Sequence, residues 1–273
     1  MALEGTGVRL DVRPVSSLLP HEETIPSHVE RITKQLMQDA LQKDPIVVDA
    51  ESGTVLDGMH RLAAFKKLKI GNVICCSIDY SSKAVRLNRW ARVYSSPLRD
   101  ETSRLLTDLG LTKVTTIADA FLELEGRACG LAAFSSEGVY LPESHIGLPE
   151  AFEVVRRFDA FALSAGWARE FVPEDEIDSA LQDPTAVLIL VQRLTKDDVV
   201  RAARTGRFFP CKTSMHTIDP RPVAMNFPLA ELEDLTGTEL RRRLAASRSK
   251  LLPANSLYGG RRYKERLLLL NSP

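Results

Sequence analysis

Four residues suited to anion chemistry crowd into "VLDGMHRLAAFKKL", Val55 to Leu68. Asp57, Gly58, His60 and Arg61 stand where a β-branched run gives way to a helix-forming segment. A helix N-terminus leaves backbone N–H groups unpaired and carries a partial positive charge, so cations in the first turn cost stability unless an anion arrives. Such an end is a natural receiver for a phosphate or a carboxylate. Gly58 lacks a Cβ and lets the backbone approach a ligand closely, and Arg61 carries a planar fork that matches two phosphate oxygens. The same residues also read as a plain turn, with Asp57 capping the helix and His60 and Arg61 facing water. A second stretch, "LLPHEETIP" (Leu18 to Pro26), places His21, Glu22 and Glu23 just before another helix. Its carboxylates are either ordinary first-turn charges or, if both stretches open on one edge, acids opposite a phosphate cradle.

The elements that must hold these side chains are short. "VRLDVRPVSSLL" reads as a strand and "IPSHVERITKQLMQDALQ" as an amphipathic helix with Ile32, Leu36, Ala40 and Leu41 on one stripe. "DPIVVDAESGTVLD" reads as two strands paired antiparallel around a turn, "MHRLAAFKKLKI" as a helix and "NVICCSIDY" as a strand. "SSKAVRLNRWARVY" reads as helical, and "SSPLRDE" at Ser95 as a linker. Beyond it, "VTTIADAFLELEG" and "CGLAAFSSEGVYL" read as β-rich, "PEAFEVVRRFDAFALSAG" as a helix, "PTAVLILVQ" as a strand and "TKDDVVRAARTG" as a helix. "RFFPCKTSMHTIDPRPVAMNFPL" has little periodicity and reads as a structured loop with a purpose beyond connection. "YGGRRYKERLLLL" reads as an amphipathic or docking helix, and Arg221, Arg241, Arg242 and Arg243 as solvated or structural charges.

At 273 residues and 44% hydrophobic content, the chain can fill two ordinary cores. The linker divides it into residues 1–95 and 96–273. Lys plus Arg equal Asp plus Glu at 36 each, so no net field draws the chain to a nucleic acid or an anionic membrane, and any polyanion site must be local. Long apolar runs and a secretory signal pattern are not evident, which gives the expectation of a cytoplasmic, soluble protein. Cys75, Cys76, Cys129 and Cys211 form no C-x-x-C pair, which disfavours zinc, and Cys75 and Cys76 read as small core residues.

Taken together, "PHEE", "DPIVVD" and "VLDGMHRLAAF" resemble the ParB/sulfiredoxin fold, and within it most closely the free L-serine kinases. The resemblance covers the first 95 residues and continues more weakly into "PCKTSMH". Sulfiredoxins carry a cysteine before the His-Arg pair, whereas Met59 stands there in this chain. ParB proteins carry an arginine-containing phosphate box and a helix-turn-helix. Here the first box lacks the arginine, and "PLRDETSRLLTDLGL" is a weak helix-turn-helix candidate. The free serine kinases carry a His-Glu pair and Asp-Gly-x-His-Arg, and both match.

The resemblance implies an α/β (α+β) chain with a ParB/sulfiredoxin-like nucleotide-phosphate domain, a mixed α/β substrate-binding domain and an active site in the cleft between them. It implies an ATP- or ADP-dependent kinase acting on free L-serine to give O-phospho-L-serine, for use in cysteine synthesis, with magnesium and no nucleic-acid or membrane partner. Glu22 is then the general base, with Glu23 in reserve, and Glu22 and His60 are the catalytic pair. Asp57, Gly58, Met59, His60 and Arg61 cradle phosphate, and Asp57 faces magnesium or the serine ammonium, or caps its helix. Trp90, Lys212, Thr213, Ser214 and His216 receive the serine. The alternative is a ParB-like, nucleotide-responsive DNA-binding regulator; a sulfiredoxin-like reductase would need a thiol near His60, for which only Cys75 or Cys76 is available.

Overall fold

The computed structural model describes residues 9–95, 99–114 and 116–270. Two compact units emerge. The first contains the chain up to Arg86, Lys196–Cys211 and the chain from His216 onward; the second contains Leu87–Thr195 and Lys212–Met215. The single cut at residue 95 expected from sequence is thus replaced by a division in which the chain leaves the first unit after Arg86 and returns at Lys196. Ser96, Pro97 and Leu98 of the expected linker lie outside the described residues.

In the first unit the order is β1 (Arg9–Pro14), α1 (Pro26–Asp39), β2 (Leu41–Gln42), β3 (Ile46–Asp49), β4 (Val55–Asp57), α2 (Met59–Lys67) and β5 (Asn72–Ile78). The sheet runs β1-β5-β3-β4. β5 is antiparallel to β1 and parallel to β3, while β3 and β4 form the expected antiparallel pair, with Val48 opposite Val55 and Val47 opposite Asp57. Because β5 is covered on both faces, it needs a near-continuous apolar run rather than an alternating one, and "NVICCSI" supplies it. Cys75 and Cys76 are fully buried there. α1 and α2 close one face through Leu36, Leu62 and Phe65, packed on Ile46, Val48, Val55 and Val73.

The second unit carries β6 (Val85–Ser95, of which Leu87 onward belongs here), α3 (Arg99–Asp108), β7 (Leu111–Val114), α4 (Ile117–Glu125), β8 (Leu131–Ser135), β9 (Gly138–Pro142), α5 (Leu148–Ser164), β10 (Ala168–Pro173), α6 (Ile177–Leu181) and β11 (Ala186–Val191). Its strands pair antiparallel in the order β10-β6-β11-β8-β9-β7. Its core packs Ala91, Val93, Leu124, Phe134, Leu188 and Leu190 together.

Five sequence expectations change. "AVRLNRWARVY" is strand β6, not helix, because Arg89 and Arg92 are buried rather than solvated. Arg89 donates to Glu174 Oε2 at 3.0 Å, to Glu125 Oε1 at 2.6 Å and to the Val191 carbonyl at 2.7 Å. A pattern that assigns arginine to water therefore misreads the period. "IADAFLELE" is helix α4, capped by Thr116, whose hydroxyl accepts from the Asp119 N–H at 3.1 Å. From Arg99 onward, "RDETSRLLTDLGL" makes one helix followed by strand β7, so these described residues do not form a helix-turn-helix.

The C-terminal stretch is strands, not helix: β16 (Leu257–Tyr258) and β17 (Arg261–Arg262) turn on Gly259 and Gly260, both at positive φ, and β18 (Leu267–Leu269) follows. The irregular segment before it holds α7 (Lys196–Thr205), then β12 (Ser214–Ile218), β13 (Arg221–Val223) and β14 (Phe227–Pro228), so the expected loop is partly strand. α8 (Gly237–Ala246) and β15 (Lys250–Leu252) complete the order, with β18 between β13 and β15. Among the described residues, no helix is long and apolar enough to cross a membrane.

Candidate active site

The two chemical stretches lie side by side. Leu19 bridges Thr54 in parallel, Val55 N–H donates to the Leu19 carbonyl at 2.9 Å, His21 Nδ1 donates to the Val55 carbonyl at 2.8 Å, and Ile25 N–H donates to His60 Nε2 at 3.0 Å. Residues 19–25 are therefore laced to residues 54–60 at both ends, with Glu22 and the Asp57–Met59 turn between the lacings. Phe209, which sequence reasoning passed over, holds the opposite edge: its N–H donates to the His21 carbonyl at 2.9 Å and its carbonyl accepts from Glu23 N–H at 2.9 Å.

Glu22 is only 9% exposed, and its Oε1 stands 3.8 Å from His21 Nε2. Burial pushes the pKa of His21 down, against the opposing pull of Glu22 and the Val55 carbonyl. The His21 ring lies edge-on to Phe209 and to His216. His216 Nε2 is 2.7 Å from the Tyr80 hydroxyl. Burial holds His216 well below the ordinary histidine range, and burial together with the Asp49 and Glu22 carboxylates pushes the Tyr80 phenol up. Tyr80 and His216 thus form a hydrogen bond between a neutral phenol and a neutral imidazole. Lys196 Nζ sits 5.1 Å from the Tyr80 ring centroid and donates to the Tyr80 and Ser82 carbonyls.

Helix α2 begins on Gly58, at φ 103°, without a side-chain cap. A Cβ at Gly58 would stand 3.1 Å from Arg61 Nη2, so glycine is needed for both conformation and space. Asp57 stands one residue before the glycine N-cap of α2 and is tied to two guanidinium groups. Its Oδ2 accepts from Arg61 Nη2 at 3.0 Å and from Arg221 Nη1 at 2.9 Å. Arg61 Nη1 donates to the Asp44 and Pro45 carbonyls at 3.0 and 2.9 Å. The fork expected to seize phosphate is thus occupied in holding the turn.

Arg221 is no solvated charge. It is buried, with Nη2 donating to the His216 carbonyl at 2.7 Å and Nε paired with Glu265. No periodic signal marks Arg221, since it lies between prolines in an irregular stretch.

In the second unit, Lys212 Nζ lies 5.0 Å from the Trp90 ring centroid, a cation–π distance. Trp90 N–H meets the Thr213 carbonyl at 3.4 Å, and the Thr213 hydroxyl is 3.4 Å from Arg92 Nη2. Trp90, Lys212 and Thr213 are therefore brought together as a set, and Ser214 is buried at the start of β12. Lys212 has φ 57°, a left-handed conformation uncommon outside glycine and enriched at functional turns. His216, by contrast, belongs to the first unit with Tyr80 and His21. Among the described residues, no group of three or more His, Cys, Asp or Glu side chains is placed to hold a metal ion.

Three comparisons bear on this arrangement. No protein-family model matches the chain. An ATP-dependent L-serine kinase of Desulfurococcus mucosus is 27% identical over 229 residues, covering 80% of this chain and 89% of that protein. The ADP-dependent L-serine kinase SerK of Thermococcus kodakarensis is 20% identical over 224 residues, covering 80% of this chain and 90% of that protein. Among solved structures, a free serine kinase mutant in complex with ADP superposes with a TM-score of 0.70 at 18% identity, covering 84% of this chain and 98% of that one. The chain shares the fold of the free serine kinases and is similar to L-serine kinases over four-fifths of its length.

Proposed function

We propose that this chain is a free L-serine kinase, moving the terminal phosphoryl group of ATP or ADP to the hydroxyl of L-serine to give O-phospho-L-serine. The observation that carries this reading is the lacing of the Glu22 segment to the Gly58 turn, which puts a buried carboxylate beside a helix N-terminus that begins on glycine. The similarity to L-serine kinases supplies the substrate class.

In this reading, the first-turn N–H groups of α2 and the helix dipole receive the donor phosphates. Phosphoryl transfer has a loose transition state with charge spread over the equatorial oxygens, so catalysis is mostly positioning and charge stabilisation. As the bond from the serine oxygen to phosphorus forms, the bond from phosphorus to the bridging oxygen breaks and leaves ADP or AMP. The serine hydroxyl proton passes to Glu22, a general-base step of the kind that contributes about 10²–10⁴-fold. Arg61 and Arg221 keep Asp57 and the turn in shape. Magnesium would be held mainly by the nucleotide phosphates and would supply charge neutralisation there.

The test is serine-dependent nucleotide consumption by wild type, Glu22→Gln and Glu23→Gln. The reading expects Glu22→Gln to lose at least about 10²-fold in kcat with nucleotide affinity held, and Glu23→Gln to stay within about tenfold of wild type. Equal losses in both, or none in Glu22→Gln, would remove Glu22 as the base.

A further inference from the structure

We infer that His60 is a positioning residue which sets the Glu22 segment through the backbone of Ile25, rather than a proton donor from Nε2. The inference rests on Glu22 being the base of the proposed reaction. Ile25 N–H donates to His60 Nε2 at 3.0 Å. A backbone N–H can only donate, so Nε2 carries its lone pair and the ring is neutral with its proton on Nδ1.

Ile25 is the N-cap residue of α1, and Pro26 follows at the first helical position. In a capping box, the side chain at N3 reaches back to the N-cap N–H. Here N3 is His28 and the partner of that N–H comes from the first turn of α2 instead. Bonds also hold this segment at Leu19, His21 and Glu23, and the Ile25 carbonyl accepts from His28 and Val29 N–H within α1. The His60 contact fixes the far end, between Glu22 and the axis of α1. The residue beside the phosphate turn and the residue that orients the base are then one side chain. A donor that settles on α2 meets a base whose position α2 itself has set, and a misplacement of about 1 Å at such a base costs on the order of 10²-fold in rate.

The amide of glutamine reaches the place of Nε2, whereas that of asparagine reaches only the place of Nδ1. The experiment compares wild type, His60→Gln and His60→Asn by NMR hydrogen exchange at the Ile25 amide, by kcat for phosphoserine formation and by nucleotide affinity. Slow exchange at Ile25 in wild type and His60→Gln is expected, with exchange faster by about tenfold or more in His60→Asn. The kcat of His60→Asn falls by about tenfold or more and is recovered in large part in His60→Gln, while nucleotide affinity moves by less than about threefold in both.

The inference is overturned if His60→Asn keeps Ile25 protected, if it keeps the wild-type kcat, or if His60→Gln restores protection without restoring kcat. A wild-type protein that makes no phosphoserine removes the kinase reading, and the positioning role with it. The exchange pattern at Ile25 would still report whether the contact exists, so the two failures are distinguishable.

Discussion

Asp57, Gly58 and Arg61 share one turn, yet their parts in it differ from what their types suggest. Arg61 and Asp57 neutralise each other, Arg221 also reaches Asp57, and Arg221 with Glu265 adds a buried pair. What the turn offers an anion is therefore chiefly backbone N–H groups. Gly58→Ala forces φ 103° on a residue with a Cβ and crowds the Arg61 guanidinium, so it should destabilise the protein by about 1–2 kcal/mol. Chemical denaturation checks this, with nucleotide affinity falling in the same variant. Thiol chemistry has no foothold at this turn: Met59 stands where a reductase would need cysteine, and burial pushes Cys76 up to about 12.

Arg221 extends the site beyond one local motif. β13 brings a buried guanidinium to Asp57, to Glu265 and to the carbonyl of His216. Arg221→Met takes its cation from the buried Glu265 while Asp57 keeps Arg61, and breaking such a buried pair costs about 3–5 kcal/mol, measurable as a lower denaturation midpoint. Helices and strands with conventional patterns were readable from sequence: α1, α2, β5, α5 and β11 fall where periodicity and turn residues put them. β6 was not, because its arginines are buried by ion pairs that sequence does not display. α4 had a usable signal in Thr116 and Asp119, three residues apart, and the C-terminal hairpin had one in its Gly-Gly pair. The Glu22 and Gly58 stretches were found as chemistry, but their lacing through Val55, His60 and Phe209 depends on side-chain and backbone bonds across the fold.

The buried histidines connect the site to the stability of the protein. His21 and His216 both have folded pKa values below the ordinary 6.5, so each is neutral in the fold and takes up a proton more readily when unfolded. Their stabilising contribution is complete above about pH 6.5 and is lost as pH falls, because the unfolded chain then binds more protons. The thermal midpoint should fall between about pH 7 and 5, and His216→Asn should flatten that fall. An unchanged slope would place the acid sensitivity elsewhere.

The central claim is that the molecule phosphorylates free L-serine, and mass spectrometry of the product tests it most directly. The protein is incubated with magnesium, L-serine and ATP or ADP in turn, beside Glu22→Gln. The account predicts O-phospho-L-serine with at least one donor, matched by ADP or AMP, and its loss by at least about 10²-fold in Glu22→Gln. Nucleotide binding with no phosphoserine from either donor would contradict it.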